Sequence, residues 1–389
     1  VMIERELTTI INKLRSQFPV ITLTGPRQSG KTTLIKSIYT DLPYVSLEDI
    51  DIRNNAINDP RGFLSNFPRG AVLDEVQRTP DLFSYIQGIV DKEKNVHFML
   101  SGSQNFLLLQ NITQSLAGRA AILKLLPFGH TELLRAGLKF ERYEELIFKG
   151  LYPGIYDKNI EPSFFYPSYI NTYIEKDLRQ IKNIENLNSF SGFLKLCAGR
   201  TGQILNLNSL ATDAGISPNT AKSWLSILEA SFIIYYLQPY HKNYNKRIIK
   251  SPKLYFYDTG LVCSLLGINN PQQVNTYYAK GALFENLIIN EFIKHSFHNG
   301  ETPRYYFWKN KTKQEIDLIV DSGFHSLPFE IKSGMTMQEN YFSNLRYWQK
   351  LTGEESHNLN VIYGGANNLK TSKGNYISWQ NLSRIFDKN

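Results

Sequence analysis

The sequence predicts an α/β protein. Its first third reads as a parallel sheet covered by helices, followed by a helical stretch, a helix-turn-helix segment and a second α/β unit. Three observations carry this expectation. Short apolar runs alternate with helix-length amphipathic segments over residues 1–130, a glycine-rich turn joins the first run to the helix after it, and aromatic-rich strand patterns return beyond residue 250. At 389 residues the chain exceeds one ordinary hydrophobic core, so several modules are expected.

Hydrophobic residues form 42% and charged residues 20% of the chain, the balance of a packed globular protein, which excludes disordered, collagen-like and coiled-coil readings. Cys197 and Cys263 lie far apart with no CxxC pair, which excludes a disulfide framework or a cysteine-based zinc site and suits a reducing compartment. No apolar run approaches the roughly 18 residues of a membrane span, and Val1 to Glu6 lack a signal-peptide stretch, so a cytoplasmic protein is expected. The net charge of +8 permits a polyanionic partner without demanding one.

In order, the pattern gives an amphipathic helix around Ile3 to Arg15 and a strand from Val20 to Thr24. A helix then begins near Lys31, and further strands are expected at Tyr44 to Leu47, Ala71 to Leu73, Val96 to Leu100 and Ile122 to Leu126. These elements suggest a first domain over residues 1–130 and a helical lid or connector over 131–200. A helix-turn-helix module over 201–250 and a C-terminal α/β domain over 251–389 complete the division.

The turn Gly25-Pro26-Arg27-Gln28-Ser29-Gly30-Lys31-Thr32 matches GxxxxGK[ST] and sits between a strand and a helix, as a phosphate-binding loop must. Its glycines let backbone N–H groups turn toward phosphate oxygens, and the helix N-terminus adds about half a positive charge. Lys31 reaches the β and γ phosphates of a bound triphosphate in this arrangement, and the Thr32 hydroxyl holds Mg²⁺. The strand Ala71-Val72-Leu73 ends in Asp74 and Glu75, placed to bind that magnesium through water and to polarise the attacking water, respectively. The next strand ends in Ser101-Gly102-Ser103-Gln104, where Ser103 is a candidate contact to the γ phosphate or the water. Arg119, in Ser115-Leu116-Ala117-Gly118-Arg119, is a candidate transition-state charge, acting in cis or on a neighbouring subunit.

TGPRQSGKTTL, LDEVQ, SGSQ, LAGRA and LPF, in that order, resemble the prokaryotic AAA-type ATPases that carry a C-terminal nuclease-like module. The resemblance implies an ATP-hydrolysing core with Lys31 and Thr32, followed by Thr33, in Walker A. It also implies Asp74 and Glu75 in Walker B, a polar sensor near Ser103 and Arg119 as a finger.

In the segment Ser209 to Leu225, Gly215 marks a turn, Ser217 and Pro218 start a second helix, and Ile216, Ala221, Leu225 and Leu228 recur where two crossing helices pack. That second helix offers Asn219, Thr220, Lys222 and Ser223 for phosphates or base edges, as in a winged helix. The run from Tyr240 to Arg247, continuing to Lys250 and Lys253, holds five basic residues and no acid, and is the better candidate for DNA phosphates.

Near the C-terminus, Glu315 to Val320 and Pro328 to Lys332 read as two strands of a hairpin. Period-two alternation puts Glu330 and Lys332 on one face, beside Asp317. Asp317 and Glu330 are hard oxygen ligands for a divalent ion, with Lys332 to orient or activate water. This D…ExK pattern resembles the restriction-endonuclease-like superfamily, and Glu285 on an upstream helix is a further candidate ligand. Arg304, Lys309, Lys311 and Lys313 interleave with Tyr305, Tyr306, Phe307 and Trp308, a combination suited to nucleic acid, although some of these rings must be core. His295 and His298 have no partners that complete a zinc set. Two functions follow: Mg²⁺-dependent ATP hydrolysis coupled to DNA binding with metal-dependent cleavage, or an ATP-controlled interaction protein that does not cut.

Overall fold

The computed structural model describes residues 3–102, 115–174, 187–240, 250–312, 314–323, 325–353 and 359–386. Its first sheet comprises β1 (Val20–Thr24), β2 (Tyr44–Ser46), β3 (Val72–Asp74), β4 (Phe98–Gly102) and β5 (Ala120–Lys124). The strands run in the order β2-β3-β4-β1-β5, and every pairing is parallel. Both faces are covered. Leu7, Ile11, Leu34 and Ile35 from two helices bury one face, while Ala56, Phe63, Leu82, Phe83 and Ile86 from three others bury the opposite one. Because β4 inserts between β1 and β3, the C-terminal tips of all three strands open onto one edge, where ligands of open parallel sheets bind.

Strand boundaries differ from the sequence expectation by one or two residues and the first helix by four, with local causes. β3 reaches Asp74 because the Leu47 N–H donates to the Asp74 carbonyl at 3.0 Å. The first helix starts at Leu7 rather than Ile3, since the preceding turn places Arg5 inside the protein, where it is 6% exposed. From residue 127 to 198 the described residues form helices only, among them Pro153–Asp157, Pro162–Tyr169 and Leu187–Ala198, with one π-helical turn at Ile170–Ile174.

The helices Leu207–Asp213 and Pro218–Ala230 meet at the expected turn, where the Ser217 hydroxyl accepts from the Thr220 N–H at 3.1 Å. Trp224 from the second helix packs edge-on against Phe190 and Phe193. The hairpin β6 (Ile234–Pro239) and β7 (Lys253–Phe256) follows. It joins the second sheet, built with β8 (Tyr305–Lys309), β9 (Glu315–Asp321), β10 (Ser326–Lys332), β11 (Asn360–Tyr363), β12 (Leu369–Thr371) and β13 (Gly374–Ser378). Here the order is β12-β13-β11-β10-β9-β8-β6-β7, mixed in direction, and β6 runs parallel to β8. The 19-residue helix Lys280–His298 covers one face with Leu287 and Phe292, and Leu345 and Trp348 of the helix Ser343–Thr352 cover the other. Among the described residues no helix is long and apolar enough to cross a membrane, and both cysteines are free and buried.

Candidate functional site

The turn after β1 has the shape its glycines predict. Gly30 caps the following helix at φ +91°, and a Cβ on Gly25 would stand 2.1 Å from the Leu125 carbonyl oxygen, so only glycine fits there. Gln28 takes φ +60° without being glycine, a strained setting that concentrates at functional loops. The Lys31 ammonium donates to the carbonyls of Gly25 at 3.0 Å and Pro26 at 2.8 Å, closing the loop on itself. Burial is the main reason its pKa falls to about 8, partly offset by the charges of Glu75 and Asp74. Arg27 lies with its guanidinium 5.4 Å from the centre of the Tyr173 ring, Ser29 is buried, and Thr33 lines the cleft above the loop.

Asp74 sits where the tips of β3, β4 and the loop helix converge. Its carboxylate accepts from the Thr32 hydroxyl at 2.9 Å, the Tyr44 hydroxyl at 2.5 Å, the Ser101 hydroxyl and the Glu75 N–H at 3.1 Å. Glu75 follows in the left-handed region at φ +56°, and the Gln77 amide donates to its carboxylate. The Gln77 side-chain oxygen lies against Gly102, where a Cβ would stand 2.2 Å from it and displace the glutamine tip. Of these, Tyr44 had no sequence signal. Ser101 was visible only as part of a polar strand end, and Ser103 and Gln104 lie outside the described residues.

The cleft over this edge has a volume of about 1220 Å³, ample for a nucleotide. Arg27, Lys31, Thr32 and Glu75 form its floor, Thr8 and Asn12 one wall, and Ile160, Phe164 and Phe165 of the helical segment the other. Its donors suit a magnesium triphosphate: glycine-permitted backbone turns and an ammonium for the anion, with Thr32 and Asp74 already converged for a hard cation that keeps several waters. When bound, that cation supplies charge neutralisation between phosphate oxygens.

Arg119 is not brought to this cleft. Its carbonyl accepts from the Val20 N–H at 3.3 Å, so it lies at the opposite end of β1, about 13 Å of strand away from the loop. There it pairs with Asp91 at 2.5 Å on the surface.

At the other sheet, the hairpin β9–β10 brings Asp317, Glu330 and Lys332 together as the alternation predicts. Lys332 stands 3.2 Å from Asp317 and 2.7 Å from Glu330, and the Ile331 N–H donates to Asp317 at 2.8 Å. Burial first, and Asp317 second, raise the Glu330 pKa to about 8, against the opposing pull of Lys332. Asn344 donates to Oε1 of Glu330, whereas Oε2 is buried with no hydrogen-bond partner. Glu285 arrives nearby, but its Oε1 is taken by Lys253 at 2.8 Å and by the Tyr255 hydroxyl. Lys253 also pairs with Glu315 at 2.5 Å. Among the described residues no three His, Cys, Asp or Glu side chains come together as metal ligands do.

The structure places the residues read as a nucleic-acid surface as follows. Lys253 is 3% exposed and committed to Glu285 and Glu315, so it is unavailable to phosphates. Phe307 and Trp308 are core, and Lys309 is paired with Glu315 at 2.5 Å. Of the helix-turn-helix candidates, Asn219 and Lys222 are exposed, but Thr220 and Ser223 are half-buried. Residues 241–249 and Lys313 lie outside the described residues.

Residues 17–134 match the model of an AAA domain. That stretch is similar to AAA domains, and it holds the phosphate-binding loop and the Asp74–Glu75 strand end described above. Residues 140–272 and 280–382 match two domains of unknown function, DUF8612 and DUF4143. Uncharacterized proteins of Mycobacterium tuberculosis and Mycobacterium bovis are each 28% identical to this chain over 85% of its length and 74% of theirs. One from Methanocaldococcus jannaschii is 22% identical over 81% of this chain and 74% of its own. Among solved structures, the Walker-type ATPase of Pyrococcus abyssi aligns with 68% of this chain and 96% of its own at 14% identity, with a TM-score of 0.46.

Proposed function

We propose that the AAA domain binds and hydrolyses ATP with Mg²⁺, and that its nucleotide state controls how the C-terminal half engages DNA. The observation that carries this reading is the meeting of the loop and β3, with Thr32 2.9 Å from Asp74 and Lys31 and Glu75 beside them in one cleft. The paired helices with exposed Asn219 and Lys222, read as a winged helix, support the DNA part. Phosphate release from ATP, measured with Mg²⁺, with chelator, and with single- or double-stranded DNA, tests both. Turnover that needs the cation and rises with DNA is expected. A chain that neither binds nor hydrolyses ATP defeats the first part, and a rate indifferent to DNA defeats the second.

The C-terminal carboxylates favour a second reading, in which a restriction-endonuclease-like domain holds its partner without cutting. Lys253, Lys309 and Lys332 already pair with Glu285, Glu315 and Asp317, supplying the positive charge that a divalent ion brings in a cutting site. The expected result is that Mn²⁺ titration by calorimetry gives the same heat for wild type and Asp317→Ala, with no DNA cleavage by either. Metal-dependent cleavage that disappears in Asp317→Ala would restore the nuclease.

A further inference from the structure

Arg5 precedes the first helix and reads in the sequence as one charge among several, yet its guanidinium is buried and spans three acceptors. Its Nη1 donates to the Ser29 carbonyl at 2.8 Å, its Nη2 to the Leu126 carbonyl at 2.7 Å, and its Nε to Glu132 at 3.0 Å. Ser29 belongs to the phosphate loop. In a trans peptide the carbonyl and the next N–H point in opposite directions, so fixing the Ser29 carbonyl on Arg5 fixes the direction of the Gly30 N–H. That N–H is one of the groups an anion in the loop must find.

Glu132 is fully buried and also accepts from the N–H groups of Glu6 at 2.9 Å and Gly129 at 2.9 Å. His298, the last residue of the helix Lys280–His298, puts its Nδ1 3.7 Å from the same carboxylate, and burial holds this imidazole neutral, with its pKa lowered to about 3. One turn earlier, Lys294 donates to the Phe128 carbonyl at 2.8 Å and Glu291 accepts from the His130 N–H at 2.6 Å. The segment from Leu126 to Glu132 is therefore held on one side by Arg5 and on the other by the helix whose first turns carry Glu285.

We propose that Arg5 is a positioning residue of the nucleotide site, holding the phosphate loop in its anion-accepting shape and, through the Leu126–Glu132 segment that Lys294 and Glu291 also hold, tying that shape to the helix Lys280–His298. This rests on the reading of the cleft as a nucleotide site. Lysine at position 5 keeps the charge but cannot span three acceptors. Arg5→Lys is expected to weaken ADP binding, measured by calorimetry, about tenfold or more, and to lower kcat, in a protein that melts lower than the wild type but is still folded at the assay temperature, since buried acceptors lose their donors. Glu132→Gln, which keeps the side chain's shape but not its charge, shifts ADP affinity in the same direction and serves if Arg5→Lys does not fold. Arg15→Lys, at the end of the helix Leu7–Arg15 and paired at the surface with the loop residue Asp41, leaves affinity and kcat unchanged. Wild-type ADP affinity and kcat in the two test variants would overturn this inference alone. Failure of the wild-type chain to bind ADP would overturn the nucleotide-site reading and this inference with it.

Discussion

Lys31→Met is expected to abolish ATP hydrolysis, lowering kcat/KM at least about 100-fold, the scale of losing one preorganised charge stabiliser of a transition state. In the nucleotide-free protein the ammonium is spent on the carbonyls of Gly25 and Pro26, so a triphosphate must take it from the loop's own backbone. Methionine keeps the stem and removes the charge. With the pKa lowered from 10.5 to about 8, the folded state holds fewer protons than the unfolded one between those two values. The cost of burying the cation is therefore complete below about pH 8 and is relieved as the pH rises toward 10.5, a displacement of about 3 kcal/mol. Two consequences separate a phosphate clamp from a structural lysine. Lys31→Met should melt no lower than the wild type at pH 7 without nucleotide, and ATP affinity of the wild type should be level below pH 8 and fall by up to about tenfold per unit above it. A variant that melts well below the wild type while still hydrolysing ATP contradicts both, as scanning calorimetry and phosphate release would reveal.

How much of this site could be read in advance follows from distance along the chain. The loop, the Asp74–Glu75 pair and the D…ExK hairpin are local patterns. Each is written within a strand and its turn, so period and spacing place them, and the structure brings Asp317, Glu330 and Lys332 together as alternation requires. The groups that complete the sites come from elsewhere. Tyr44 reaches Asp74 across 30 residues, Arg5 reaches Glu132 across 127, and Lys294 reaches Phe128 across 166. No residue pattern encodes such meetings, because they depend on which strands neighbour and which helix covers them. The errors share this origin. Tyr305 to Trp308 and Lys253 have the composition of a nucleic-acid surface, but the hairpin β6–β7 extends the second sheet and turns Phe307, Trp308 and Lys253 inward. Arg119 has the right residue type for a finger, and only the register of β5 on β1 reveals that it faces away from its own cleft.

The second large effect is expected from Glu75→Gln, which should leave ATP bound and uncut. The amide has the carboxylate's size, and its backbone N–H still donates to Asp74, so the convergence of Thr32, Tyr44 and Ser101 on Asp74 survives. What disappears is a negative oxygen able to draw a proton from water, and losing a general base costs about 10²- to 10⁴-fold in rate. The backbone argues for this role over a merely electrostatic one. A non-glycine residue at φ +56° costs of order 1 kcal/mol, and Gln77 and Gly102 are fitted to each other so that an amide steadies the Glu75 side chain. A glutamate that only neutralised magnesium would duplicate Asp74 and would not need that constraint. Equilibrium ATP affinity and single-turnover hydrolysis, measured on the same preparation, should separate: affinity within about threefold of the wild type, and turnover reduced by two orders of magnitude or more. Equal loss of both would make Glu75 a binding residue, and wild-type turnover would require the attacking water to be primed by a different side chain in the cleft.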